Sequence, residues 1–210
     1  IRNLIIVNVL VFVVLQLGMG MTNKLQLYPI QDPHFQPYQI ATHMFAHSPQ
    51  LIFHIVINMF ILWMFGRVLA NVWGGERFLL FYFLCGIGAA ALHLGIQYIL
   101  WEKADLLFNQ GNIEAGQKLA ERIGPAVGAS GAIMGLVVAF AYLFPHTELN
   151  IMFIPIPVKA KWAVIGYVVY DLIFGITGGD NVAHFAHLGG AITGFILVLI
   201  WNKTNRKTFY

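Results

Sequence analysis

Residues 78–100 read FLLFYFLCGIGAAALHLGIQYIL, a run without one charged side chain. A helix needs about 20 mostly apolar residues to cross the hydrocarbon core of a bilayer. The whole chain of 210 residues is 59% hydrophobic and 10% charged, whereas soluble domains carry about 25% charged residues. We therefore predict an all-α membrane protein whose solvent is the lipid bilayer.

Five further apolar runs accompany this one, so we predict a single membrane domain, residues 1–210, containing six transmembrane helices. The predicted spans are 4–20, 50–66, 78–100, 125–145, 161–177 and 182–202. A signal peptide is the competing interpretation of the first span, but Gly18-Met19-Gly20 matches the usual cleavage site poorly. The chain has one cysteine, Cys85, which excludes a disulfide framework.

The positive charges predict the orientation of the bundle. With both termini on the inner side, the inner segments hold eight Lys and Arg residues and the outer segments hold four. The positive-inside rule favours this arrangement, so we predict cytoplasmic termini. The net charge is only +3 and no long basic run exists, so nucleic acid is not an expected partner.

Three predicted spans carry polar side chains shortly after they enter the membrane from the outer side. Span 2 holds His54 and Asn58, span 4 holds Ser130, and span 6 holds His184 and His187. A polar group inside a span is costly and needs a partner or a function. Because these groups lie at similar depth, we interpret them as one polar site.

This set of side chains is typical of a serine hydrolase. Serine attacks only when a base accepts its proton, and a neutral histidine such as His187 is the usual base. Acyl transfer also needs donors for the developing oxyanion, and His54, Asn58 and the backbone N–H of Ser130 are the candidates. We therefore predict Ser130 as nucleophile and His187 as base.

Acids near this site are not evident in the sequence. Asp180 belongs to the connection before span 6, and Asp171 falls inside span 5 without an identifiable partner. We therefore expect a pair of Ser130 and His187 without a third, acidic member.

Glycines flank the proposed nucleophile and recur in spans 4 and 6. Gly128 and Gly131 stand on either side of Ser130 and would let a substrate backbone approach. Two pairs have the four-residue spacing that allows membrane helices to approach closely: Gly131 with Gly135, and Gly190 with Gly194. We predict that spans 4 and 6 pack tightly against neighbouring helices; the pattern leaves open whether these neighbours include each other.

The sequence resembles the rhomboid protease family over roughly residues 38–200. The matching motifs occur in the family's order: Thr42-His43-Met44-Phe45-Ala46-His47, then His54 with Asn58, then Gly128-Ala129-Ser130-Gly131, then Ala186-His187-Leu188-Gly189-Gly190. The resemblance implies a six-helix rhomboid-type bundle and hydrolysis of peptide bonds within or beside transmembrane segments of membrane proteins. It also implies that no metal or organic cofactor is needed.

The resemblance further implies a gate formed by span 5 and the connection after it, with Gly178-Gly179 as hinge points. The sequence also departs from the family pattern in places. Met134 stands where many members have an aromatic residue that packs on the catalytic histidine, and Met can also pack there.

Two other classes of function remain open. One is a rhomboid relative that binds transmembrane clients without cutting them, although such relatives usually lack the serine or the histidine. The other is a membrane metal hydrolase or transporter that uses a set of histidines: His43, His47, His54, His184 and His187. The sequence has no H-E-x-x-H motif and no carboxylate beside these histidines. For His43 and His47 we favour a supporting role at the outer end of span 2.

The sequence shows neither further domains nor an organelle-targeting stretch. From this we predict location in a bacterial inner membrane.

Overall fold

The computed structural model describes residues 1–17, 22–48, 51–150, 156–178 and 182–204. Within these ranges helices predominate, with one short two-stranded sheet. In chain order the elements are α1 (Arg2–Gln16), α2 (Thr22–Leu25), α3 (Gln39–Thr42), α4 (Ile52–Trp73), α5 (Gly75–Asn109), α6 (Ile113–Ala120), α7 (Ser130–Leu143), β1 (Glu148–Leu149), β2 (Val158–Lys159), α8 (Ala160–Thr177) and α9 (His184–Thr204).

The six longest helices overlap the six predicted spans. Four of them, α4, α5, α8 and α9, are long and apolar enough to cross a membrane. The other two, α1 with 15 residues and α7 with 14, are apolar but shorter than the roughly 20 residues of a full crossing. The all-helical membrane bundle is therefore supported, and the count of six crossings stays a prediction. The candidate cleavage site at residues 18–20 lies outside the described residues.

The connection between the third and fourth spans differs from the prediction in one respect. A short amphipathic helix, α6, lies in this connection, and the Asn112 side chain caps it by accepting from the Ala115 N–H at 3.3 Å. However, α5 continues to Asn109, nine residues beyond the predicted end of the span. Several residues after position 100, among them Glu102, Lys103 and Ala104, are good helix formers, so the first strong break is the turn at Gly111.

A two-stranded antiparallel sheet closes the connection between α7 and α8. Glu148 pairs with Lys159, and Leu149 pairs with Val158. This hairpin fixes the start of α8, because the last strand residue directly precedes it.

The close crossing of α7 and α9 organises the bundle. A Cβ atom added to Gly190 would lie 1.8 Å from the backbone oxygen of Gly131, and one added to Gly194 would lie 2.5 Å from Cα of Gly135. Side chains essentially never approach that closely, so only glycine permits this contact. The prediction of tight packing in spans 4 and 6 is confirmed, and the two helices pack against each other. Their first turns consequently lie side by side.

Aromatic and apolar contacts locate the two ends of the bundle. A Cβ on Gly66 would lie 3.0 Å from Ile1 Cδ1, and the rings of Trp73 and Trp201 are 5.4 Å apart. The start of α1, the end of α4 and the end of α9 therefore lie at one end. The first turns of α4, α7 and α9 lie at the opposite end.

Candidate active site

Ser130 and His187 meet where α7 and α9 begin. The Nε2 atom of His187 lies 2.8 Å from Oγ of Ser130, although the two residues are 57 positions apart in the chain. Gly131 and Gly190, which form the close crossing, follow Ser130 and His187 by one and three residues. The crossing therefore brings the two side chains together. The predicted nucleophile and base are thus within hydrogen-bond distance.

The segment that leads into Ser130 is fixed by the first long connection. Leu27 and Ala126 exchange two backbone hydrogen bonds of 2.9 Å, and the Gly128 N–H donates to the His43 carbonyl oxygen at 2.9 Å. Ser130 is the first residue of α7, and the first amides of a helix have no partner within it. The backbone N–H of Ser130 is therefore available to a ligand beside its own hydroxyl.

Gly128 lies between the side chains of Ser130 and His54. Its φ angle of 119° is strained for residues with a side chain. A Cβ there would lie 3.0 Å from His54 Nε2 and 3.6 Å from Ser130 Oγ. The His54 ring and the Ser130 hydroxyl thus approach the same small space, which glycine leaves open.

Asn58 lies one turn after His54 on α4 and is buried. Its side-chain Nδ2 donates to the His54 carbonyl oxygen at 2.7 Å. The amide is therefore bonded to its own helix, unlike His54, whose ring faces the Ser130 hydroxyl across Gly128.

Asp171 is the residue that sequence reasoning missed. It is fully buried in α8, and its Oδ1 atom lies 2.7 Å from Nδ1 of His184 and 3.1 Å from Nδ1 of His187. The expectation that no acid belongs to the site therefore does not match this geometry. A carboxylate inside an apolar span signals that a partner exists, but only the packing of α8 on α9 identifies the partner. Asp180 lies outside the described residues.

The contact between Asp171 Oδ1 and His187 Nδ1 bears on where the His187 ring carries its hydrogen. A carboxylate, when ionised, only accepts hydrogen bonds, and in that state the hydrogen of this bond belongs to Nδ1. In the neutral ring this leaves Nε2 unprotonated and able to accept from the Ser130 hydroxyl. The second oxygen of Asp171, Oδ2, is buried without a hydrogen-bond partner among the described residues.

The aromatic neighbour of His187 comes from α8. Tyr167 lies with its ring centroid 6.2 Å from that of His187. Met134, the sequence-based candidate for this position, is buried in α7 one turn after Ser130.

His43 and His47 belong to the supporting structure before α4. The Nδ1 atom of His43 is 3.0 Å from the Gln39 carbonyl oxygen, and burial lowers the pKa of His43 to about 4. Burial, followed by the nearby His54, lowers the pKa of His47 to about 4. Because α3 ends at Thr42, His43 and His47 do not share a helix.

The predicted five-histidine metal centre is not assembled among the described residues. There, one group of three metal-ligating side chains comes together, namely Asp171, His184 and His187, with ligand atoms within 4.8 Å of one another. Asp171 thus places a carboxylate beside two of these histidines, and the sequence-based expectation that none accompanies them is wrong.

The end of α8 carries the first of the two expected hinge glycines. Gly178 follows α8 with a φ angle of 70°, whereas Gly179 lies outside the described residues. One turn earlier, the Gly175 carbonyl oxygen accepts a hydrogen bond of 2.7 Å from Arg122 Nη2. This bond ties the end of α8 to the segment before α7.

Comparison with known proteins identifies relatives over most of the chain. A family model described as Rhomboid domain matches residues 34–203. Rhomboid protein 1, mitochondrial, of Saccharomyces cerevisiae is 30% identical over 82% of this chain and 44% of its own length. Presenilin-associated rhomboid-like protein, mitochondrial, of Homo sapiens is 29% identical over 97% of this chain and 50% of its own length. RHOMBOID-like protein 12, mitochondrial, of Arabidopsis thaliana is 27% identical over 82% of this chain and 48% of its own length.

These relatives correct the predicted location. All three are named as mitochondrial proteins, which contradicts the prediction of a bacterial inner membrane with cytoplasmic termini. That prediction depended on the lack of a targeting stretch. The chain spans about half the length of the curated relatives it matches, so this lack says nothing about location.

Proposed function

The chain belongs to the rhomboid family, and on this premise we propose that it is a serine endopeptidase that cleaves membrane proteins within or beside their transmembrane segments. The observation that carries the proposal is the 2.8 Å separation of His187 Nε2 and Ser130 Oγ. That spacing suits direct proton transfer from the hydroxyl to the imidazole.

In the proposed acylation step, Ser130 Oγ attacks the scissile carbonyl carbon and His187 Nε2 accepts the hydroxyl proton. The carbonyl oxygen becomes an oxyanion, for which the Ser130 N–H, His54 and Asn58 are the proposed donors. The C–N bond then breaks, and His187 gives its proton to the leaving amine. In the second half, water attacks the acyl carbon while His187 accepts a water proton. The bond between the acyl carbon and Ser130 Oγ then breaks, the carboxylic acid product leaves, and His187 returns the proton to Oγ.

Asp171 acts in this scheme as a positioning residue. Its Oδ1 atom accepts from Nδ1 of His187 and thereby favours the tautomer that has a free Nε2. The carboxylate also stabilises the imidazolium that forms when His187 takes the proton. His184 donates to the same oxygen and holds Asp171 in place.

The partners and the location follow the family. We propose that the substrates are transmembrane proteins, that the bundle crosses the membrane six times, and that no cofactor takes part in the chemistry. Because the relatives are named as mitochondrial, we propose a mitochondrial membrane as the site of action.

Cleavage of a single-span fusion protein in proteoliposomes tests this function. The chain contains two serines, Ser130 and Ser48, which gives a matched pair of variants. We expect cleavage by the wild type and by Ser48→Ala, none by Ser130→Ala, and no loss of activity in the presence of a chelator. Cleavage by Ser130→Ala at the wild-type rate would contradict the proposal. Loss of activity on chelation would favour the metal hydrolase instead.

A further inference from the structure

Asp171, His184 and His187 form a buried cluster beside the proposed catalytic pair. Their exposed fractions are 0%, 3% and 7%, and one ligand atom from each lies within 4.8 Å of the others. We propose that this cluster binds a divalent transition-metal ion of the zinc class, and that the bound ion inhibits the enzyme.

The donor set suits zinc better than magnesium or calcium. Two imidazole nitrogens and one carboxylate oxygen are borderline ligands that Zn²⁺ accepts, whereas Mg²⁺ and Ca²⁺ require mostly oxygen. Around a tetrahedral zinc ion with bonds of about 2.0 Å, ligand atoms are roughly 3.3 Å apart. The Oδ1 atom of Asp171 is 2.7 Å and 3.1 Å from the two Nδ1 atoms, so small side-chain shifts open the required space.

A second observation points to a ligand at this cluster. Oδ2 of the fully buried Asp171 has no hydrogen-bond partner among the described residues. A buried carboxylate oxygen without a partner is costly. Coordination of a cation by Asp171 would offset that cost, either directly through Oδ2 or by compensating the charge of the carboxylate.

The cluster also has a route to the outside. A cavity of about 320 Å³ lies between α5, α8 and the start of α9, and His184 forms part of its wall together with Arg122 and Glu121. The lining of this cavity includes His184 but not Ser130.

Inhibition follows from the two nitrogens of His187. In the metal-free site, Nδ1 carries the hydrogen and Nε2 is free to accept from Ser130. When the metal occupies Nδ1, a neutral imidazole carries its one hydrogen on Nε2 instead. Nε2 of His187 then donates a hydrogen bond and cannot accept the proton of the Ser130 hydroxyl. Ser130 therefore has no base, although the three side chains of the cluster keep their positions.

Metal binding and inhibition are measured separately on the full chain, purified in detergent without a polyhistidine tag. Binding is followed by competition of Zn²⁺ with a chromogenic chelator, with Mg²⁺ as the control ion. Inhibition is followed as the rate at which a fluorophosphonate labels Ser130. The test variant is His184→Asn. The matched control is His34→Asn, which removes an exposed histidine that also contacts an aspartate, Asp32, at 2.8 Å.

We expect one Zn²⁺ per wild-type chain and a labelling rate at least ~10-fold lower in the zinc-bound protein than in chelator. Loss of one ligand in His184→Asn should weaken zinc affinity by at least ~100-fold, since even outer-shell changes cost 10- to 100-fold. His34→Asn should behave as the wild type.

Unchanged zinc affinity in His184→Asn, or labelling that is unchanged in zinc-saturated wild type, would overturn the proposal. The inhibition rests on the proposed function, but the binding does not. Absence of labelling even in chelator would reject the serine protease, while zinc binding that depends on His184 would still establish the metal site.

Discussion

The Nδ1 atom of His187 lies 3.1 Å from Oδ1 of Asp171. This contact joins α8 to a site whose other parts come from α4, α7 and α9. With Nδ1 directed at Asp171, the other ring nitrogen, Nε2, is the one that lies 2.8 Å from Ser130 Oγ. The packing of α8 on α9 thereby contributes to the orientation of the proposed catalytic histidine.

Replacing Asp171 with asparagine should lower kcat by about 10²- to 10⁴-fold with little change in KM. The amide can donate to Nδ1 and so favours the tautomer whose Nε2 is protonated. Steady-state cleavage of a transmembrane substrate measures the effect. Asp105→Asn is the control, since Asp105 is exposed and contacts Asn109. A kcat within threefold of the wild type would argue against the positioning role.

Replacing Asn58 with alanine should lower kcat by about 10²- to 10³-fold, as expected for an oxyanion donor. Asn8 gives a matched control, because its side chain also donates to the carbonyl oxygen four residues earlier, at 2.8 Å. Asn8→Ala should cost about 1 kcal/mol of stability and leave kcat unchanged. Equal kcat in both variants would show that the Asn58 amide only supports its helix.

Replacing Gly190 with alanine should separate α7 from α9, because the new methyl group would lie 1.8 Å from the Gly131 oxygen. Overpacking of this kind costs about 1–3 kcal/mol, and the separation should also abolish cleavage by parting Ser130 from His187. Thermal unfolding and cleavage report the two effects. Gly95→Ala is the control, since a Cβ there meets no atom within 4 Å. A fully active Gly190→Ala protein would contradict this account of the crossing.

Acid should destabilise the segment before α4. His43 and His47 have folded-state pKa values of about 4, below the unfolded value of 6.5, so the unfolded chain binds more protons between these values. Stability is complete above pH 6.5 and falls toward pH 4, by up to about 1.4 kcal/mol per pH unit for each histidine. Unfolding across this range should show a shallower slope for His47→Met and an unchanged slope for the exposed control His34→Met.

Much of the bundle was predictable from local sequence. The length of the apolar runs identified the segments that form the six longest helices, and the glycine spacing indicated that the fourth and sixth spans pack tightly. The ends of the helices were harder to predict. The α5 helix extends to Asn109, because a charged residue can end an apolar run without ending the helix.

The candidate site was predictable only in part. The positions of Ser130, His187 and His54 within their predicted spans indicated a similar depth in the membrane, and hence one site. Asp171 could not be assigned, because its partners depend on which face of α8 packs against α9. The side-chain bond of Asn58 to its own helix was equally inaccessible, since sequence does not show where an amide points.

Fluorophosphonate labelling followed by mass spectrometry of the modified peptide tests the central claim most directly. The probe reacts with an activated serine, so we predict modification of Ser130 in the wild type and in the control His146→Ala, and none in His187→Ala. Labelling of Ser130 that persists at the wild-type rate in folded His187→Ala, or no labelling of folded wild type in detergent and in lipid, would contradict the account.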